Sequence, residues 1–196
     1  MSNPVSNPVS NPVTNPRVVL VGPMGAGKST VAELLGARWN LPVGDTDRDV
    51  EAAAGKQIGE IFVDDGEAHF RSLERAAVLE ALQAHEGVLA LGGGAVLDPA
   101  VREALHGHVV VFLEVGLSDA VKRVGLGVGR PLLLGNVRSR VKQLLDERLP
   151  VYRSVARHTV LTDGRTPEEV AEEVAAAVEP AVSPVDSPVD SPAEER

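Results

Sequence analysis

Residues 22–29 read Gly-Pro-Met-Gly-Ala-Gly-Lys-Ser, which meets every fixed position of the pattern G-x-x-x-x-G-K-[ST] and directly follows an apolar, β-branched run, Val18–Val21. That arrangement suits phosphate chemistry. The glycines let the loop curl with its N–H groups turned inward, and the N-terminus of the following helix adds partial positive charge. Lys28 can reach the β and γ oxygens of a nucleoside triphosphate, and Ser29 can ligate Mg2+. The plainer alternative, a glycine-rich turn capped by Ser29, does not account for strand, loop and helix coinciding.

Further along lie other residues able to do chemistry. Asp45-Thr46-Asp47 closes a short segment, Leu41–Gly44, that reads as a second strand. Two carboxylates two residues apart in a strand-to-helix turn can serve a metal and a hydroxyl separately; Asp45 or Thr46 can equally cap a helix running through Glu51. Arg71, in His69-Phe70-Arg71, reads by itself as a solvated helix cation. Gly92-Gly93-Gly94 follows an apolar strand, where three glycines admit a ligand close to the backbone or form a bare turn. Lys122-Arg123 and Arg130-Pro131 bracket Val124–Gly129, a stretch with three glycines that suits a mobile lid closing over a triphosphate. Arg148 lies at the end of a helix that Pro150 is expected to stop, and Arg153 lies just beyond. In an acidic chain, arginines placed between motifs are candidate anion ligands.

The elements that must position these residues alternate strand and helix. Apolar runs at Val18–Val21, Val88–Leu91 and His108–Val115 suit strands buried on both faces. Amphipathic helical stretches are expected at Ser29–Trp39, Glu67–Ala84, Pro99–Leu105, Ser118–Val124, Val137–Leu149 and Pro167–Val178. This βαβ order implies an α/β fold, a parallel sheet with helices on both faces, whose ligands bind at the carboxyl ends of the strands.

Composition bounds the rest. A chain of 196 residues suits one domain. Without cysteine it has neither disulfides nor thiolate metal sites, and a cytoplasmic location is the default expectation. The N-terminus lacks the basic and apolar regions of a signal peptide, and no apolar run approaches the roughly 20 residues of a membrane span. A net charge of −9 argues against general nucleic-acid binding. Both ends are repetitive: residues 1–16 repeat Ser/Thr-Asn-Pro-Val, and residues 179–196 repeat Ser-Pro-Val-Asp. Eight of the fourteen prolines fall there, so both tails are expected to be disordered and without a catalytic role. The five histidines show no metal-ligand spacing, and Trp39 is expected to pack.

The motifs taken together resemble the shikimate kinase family over nearly all of residues 17–178. The segments that carry the likeness are GPMGAGKST (22–30), DTD (45–47), GKQIGEIFVDDGEAHFRSLE (55–74), LGGGAV (91–96), GRPLL (129–133) and ERLPVYRSVA (147–156). The resemblance implies a P-loop three-layer α/β/α fold with a five-stranded parallel sheet in the order 2-3-1-4-5, a lid at about 123–137, and a monomer. It implies phosphorylation of shikimate to shikimate 3-phosphate with ATP and Mg2+. Another small P-loop kinase, acting on gluconate or a nucleoside monophosphate, is the alternative, disfavoured by the pairing of Phe70-Arg71 with Gly92–Gly94.

Carried over position by position, the likeness puts the ATP phosphates on Gly25, Ala26, Gly27, Lys28, Ser29 and Thr30, with Mg2+ held by Ser29 and, through water, Asp45. Asp47 would hold the shikimate hydroxyls and orient the attacking one. Arg71 and Arg148 would clamp the carboxylate, aided by Gly92, Gly93 and Gly94. Arg130 would meet the transferring phosphoryl group, Arg123 would pack against adenine, and Arg165 would lie near it. Lys28, Asp47 and Arg130 are then the catalytic set. The sequence departs from the family pattern at Gly44 and at Val124, Leu126 and Val128 of the lid. Removing residues 1–15 and 181–196 is expected to leave activity and melting temperature nearly unchanged; a large loss of either would show that a tail packs or participates.

Overall fold

The computed structural model describes residues 16–124 and 137–179. Arg130, most of the expected lid and nearly all of both expected tails lie outside the described residues.

Strand β1 (Val18–Val21) is buried along its whole length. It lies between β3 (Val88–Ala90) and β4 (Val110–Glu114), with β2 (Val43–Asp45) and β5 (His158–Leu161) at the edges. The order is β2-β3-β1-β4-β5 and every pairing is parallel, as expected. Alternation along the central strands divides the core. Val18 and Leu20 of β1, with Val111 and Leu113 of β4, pack against α1 (Lys28–Trp39) and α8 (Pro167–Val178). Val19 and Val21, with Val110 and Phe112, pack against α4 (Glu67–Ala84), α5 (Pro99–Ala104) and α7 (Val137–Val155). A third, smaller cluster joins Val50 of α2 (Thr46–Ala54), Ile61 of α3 (Ile58–Asp64) and Phe70 of α4. α6 (Leu117–Val124) follows β4. No helix among the described residues is long and apolar enough to cross a membrane.

β1, α4 and α8 have the bounds expected from the sequence. Two elements were not legible. β5 is an edge strand in which only Val160 is buried, so it lacks the apolar run that marks its neighbours. α3 spans seven residues, too short for a helical period to show, and is fixed instead by a capping box between Gln57 and Glu60. Pro150 does not end α7, which runs on to Val155. The proline is exposed, where the carbonyl four residues earlier can be hydrated, and the next turn is held by burial of Tyr152.

Tyr152 stacks on Phe112, with centroids 5.1 Å apart and planes 15° apart, and so fastens α7 to β4. Arg153 pairs with Glu114 at 2.9 Å beside it. Trp39 packs against the core as expected; its Nε1 donates to Glu179 at 2.8 Å and the Arg17 guanidinium lies 4.3 Å over its ring. Phe112→Ala is expected to remove about 3–5 kcal/mol of stability. Urea unfolding would measure it, and a cost below about 1 kcal/mol would show that α7 can close over the void.

Candidate active site

β1 ends at Val21 and the chain reaches α1 through a loop whose last residue, Gly27, has φ 89°, a left-handed conformation that suits glycine. Gly25, Ala26, Gly27, Lys28, Ser29 and Thr30 all line a cavity of about 690 Å3. Lys28 Nζ donates to the carbonyls of Gly22 at 2.8 Å and Pro23 at 3.1 Å, which hold the ammonium over the loop. Ser29 Oγ donates to Asp45 Oδ2 at 2.6 Å, while Asp45 Oδ1 accepts from the Asp47 N–H at 3.1 Å. The capping reading of Asp45 therefore holds: one oxygen caps α2, and the other accepts from Ser29.

The Gly92–Gly94 turn organises the opposite wall. Gly92 N–H donates to the buried Thr46 hydroxyl at 2.9 Å. A Cβ on Gly92 would lie 2.4 Å from Asp47 Oδ1 and 2.9 Å from Glu74 Oε1, and one on Gly94 would lie 2.1 Å from Arg71 Nη1. A side chain at either position would push Asp47, Glu74 or Arg71 from where it lies. Gly93 O accepts from Arg148 Nη1 at 3.2 Å and from the Tyr152 hydroxyl at 2.5 Å. Burial pushes the Tyr152 phenol up to about 12, so it remains a donor at neutral pH.

Arg71 is not a solvated helix cation. Its guanidinium donates to Glu74 at 2.6 Å and Glu67 at 3.1 Å and lies 5.2 Å from the Phe70 ring. Glu74 is buried, and burial raises its pKa; Arg71 and, more weakly, Arg148 pull it back, while the Asp47 charge adds to the rise. Asp47, Arg71, Gly93, Gly94 and Arg148 line the same cavity as the phosphate loop. Gly92 stands behind Asp47 instead, with its N–H given to Thr46 and its carbonyl to Ala95. Ile58, Phe62 and Phe70 supply an apolar wall, the two phenylalanine rings 4.6 Å apart.

Arg123 and Arg165 line the third side. Arg123 donates to Gly25 O at 3.2 Å, to Thr162 Oγ1 at 3.1 Å and O at 2.8 Å, and to Asp119 at 3.2 Å. Arg165 bonds the carbonyls of Leu161 and Glu169 and the Glu173 carboxylate. Sequence reading gave Glu74, Tyr152 and Phe62 no individual role and Thr46 only that of a helix-cap candidate, whereas Asp45 is the cap and Thr46 accepts from Gly92. For Glu74 and Tyr152 a signal existed, since they follow Arg71 and Arg148 at i+3 and i+4 and share their helix faces.

A phosphate-receiving loop on a parallel sheet, a hydroxyl–carboxylate pair at its mouth, and two carboxylates and two guanidiniums across one cavity define a P-loop kinase of small anionic molecules. The shikimate kinase profile matches residues 24–179. A shikimate kinase of Salinispora arenicola is 61% identical over 153 residues, covering 78% of this chain and 92% of that protein. The structure of a shikimate kinase from Acinetobacter baumannii in complex with shikimate superposes with a TM-score of 0.81 at 34% identity, covering 85% of this chain and 94% of that one. A gluconokinase from Sinorhizobium meliloti, with a TM-score of 0.52 at 21% identity over 84% of this chain and 92% of its own, shares the fold alone. The chain belongs to the shikimate kinase family.

Because its folded-state pKa is raised, Glu74 holds a proton more tightly in the folded chain than in the unfolded one. Its contribution to stability is complete below the ordinary carboxylate range and is lost as pH rises through the elevated value. Glu74→Gln removes that dependence, so the stability of the variant minus that of the wild type should increase between about pH 4 and pH 7, measured by chemical denaturation. A difference that shrinks with pH would mean that the ion pairs outweigh burial.

Proposed function

We propose that this chain transfers the γ-phosphoryl group of ATP to a hydroxyl of shikimate, yielding shikimate 3-phosphate and ADP. The carrying observation is the cavity in which Lys28 and Ser29 face Asp47, with Arg71 and Arg148 on the acceptor wall. The two guanidiniums suit a carboxylate, the apolar wall of Ile58, Phe62 and Phe70 suits a carbon ring, and Asp47 suits the ring hydroxyls.

In this reading the phosphate chain lies on the N–H groups of Gly25–Thr30, and Lys28 exchanges its loop carbonyls for β and γ oxygens. Asp47 accepts the hydrogen bond of the attacking hydroxyl and takes its proton as the new O–P bond forms and the bond to the β-phosphate oxygen breaks. Arg130, outside the described residues, is assigned to the transferring phosphoryl group. Arg123 and Arg165 are assigned to the adenine end, and Gly92 to support of Asp47.

The Ser29 hydroxyl and Asp45 carboxylate, 2.6 Å apart, are hard oxygen donors of the kind Mg2+ takes. Mg2+ usually keeps several waters and shares a nucleotide's phosphates, so it needs only one or two protein oxygens. Bound there, Mg2+ would offset charge on the β and γ oxygens. The same reading takes the enzyme to be a cytoplasmic monomer whose proline-rich tails stand apart from catalysis, which rests on their composition and on the family likeness.

ADP release with Mg·ATP, comparing shikimate, quinate, gluconate and nucleoside monophosphates as acceptors, tests the assignment. Turnover is expected with shikimate; turnover confined to another acceptor, or with none, would overturn it. Asp47→Asn should cut turnover by roughly 10²–10⁴-fold. ADP affinity, measured by calorimetry, should stay within about threefold, since its contacts lie elsewhere in the cavity. Loss of nucleotide binding in a folded variant would contradict that division of roles.

A further inference from the structure

Two loops at the carboxyl edge of the sheet are tied to each other by crossed carboxylate bonds. Asp163, in the loop after β5, accepts from the Gly116 N–H through both oxygens, at 2.8 and 3.0 Å. Asp119, in the first turn of α6, accepts from the Gly164 N–H at 3.1 Å. Each loop thus gives the other one carboxylate and one backbone donor. The approach is close enough that a Cβ on Gly116 would lie 2.4 Å from Asp163 Oδ2.

Arg123 is seated in this clasp. The Asp119 oxygen that accepts from Gly164 also accepts from Arg123 Nη2, and Thr162, beside Asp163, takes two more of its hydrogen bonds. A fourth reaches Gly25 of the phosphate loop. All four run to protein along the edge of the guanidinium, yet the side chain keeps 32% of its surface exposed and lines the cavity. A planar cation held by four hydrogen bonds and still part-exposed to the cavity can serve as a fixed shelf for a heteroaromatic base.

We propose that Asp119 and Asp163 are positioning residues for the nucleotide, whose crossed bonds set the plane of Arg123 and tie it through Gly25 to the phosphate loop. The proposal rests on reading the site as that of an ATP-dependent kinase. Neither carboxylate lines the cavity, so both act through Arg123, whose place the two tied loops hold. The acceptor wall stands on separate contacts, those of Thr46, Gly93 and Glu74.

The test uses the full chain and the variants Asp119→Ala and Asp163→Ala, with ADP affinity measured by calorimetry in the absence of any acceptor. Loss of a charge-assisted bond is expected to raise the ADP dissociation constant and the KM for ATP about tenfold, with the KM for shikimate and kcat at saturating ATP within about twofold. In an Arg123→Ala background, Asp119→Ala should add nothing further, since its effect passes through that arginine. Asp119→Asn, which keeps an acceptor oxygen, should recover part of the affinity and carries the test if the alanine variant does not fold. Unchanged ADP affinity, equal losses in both KM values and kcat, or a further loss on top of Arg123→Ala would overturn the proposal. Because ADP binding needs no acceptor, failure of shikimate turnover would count against the functional reading and leave this result standing.

Discussion

The site depends on the parallel register of β2, β3 and β1. Val43 and Val18 both pair with Val88, so the three strands end together and deliver Asp45, the Gly92–Gly94 turn and the phosphate loop to one edge of the sheet. Parallel pairing puts every carboxyl end on the same side, and the helical crossovers return the chain beneath it. A slip of one residue in β2 would turn Asp45 to the opposite face and separate it from Ser29. The central strands β3 and β1, which fix the frame that β2 pairs with, are buried on both faces, each by a different layer of helices.

Anion binding in an acidic protein is a local matter here. The guanidiniums around the cavity are held by carboxylates and carbonyls in fixed places: Arg71 by Glu74 and Glu67, Arg148 by Gly93, and Arg123 by Asp119, Thr162 and Gly25. An arginine anchored through part of its donor fork loses less entropy when an anion arrives than one waving in solvent. Glu74 carries the cost of that order, since a buried carboxylate beside Asp47 is stabilised only by the cations it positions. Tyr152 complements it from α7, where stacking on Phe112 fixes the ring and burial keeps its proton in place.

Three elements meet at the Gly92–Gly94 turn, and the reason for its glycines is steric. Asp47 from α2 and Arg71 from α4 come within van der Waals contact of its backbone, at positions a methyl group would occupy. The tripeptide reads in sequence as space for a ligand. In the folded chain that space is first taken by the protein's own Asp47 and Arg71 side chains, with Gly93 receiving donors from α7. The turn therefore gathers α2, α4 and α7 around one cavity.

Local pattern alone determined the phosphate loop, the bounds of β1, α4 and α8, and the α/β class, because each is written in contiguous residues whose period or glycine spacing has one physical reading. The strand order and the grouping of Asp47, Arg71 and Arg148 came from likeness to a family, which carries tertiary information that no single segment holds. What only the folded chain decided was partnership across distance. Sequence spacing could not say that Asp45 both caps α2 and meets Ser29, that Arg71 is bound instead of solvated, or that α7 passes through Pro150. Each of those outcomes is set by what packs opposite the residue, and burial of Tyr152 and Glu74 outweighs the local preferences of proline and charge.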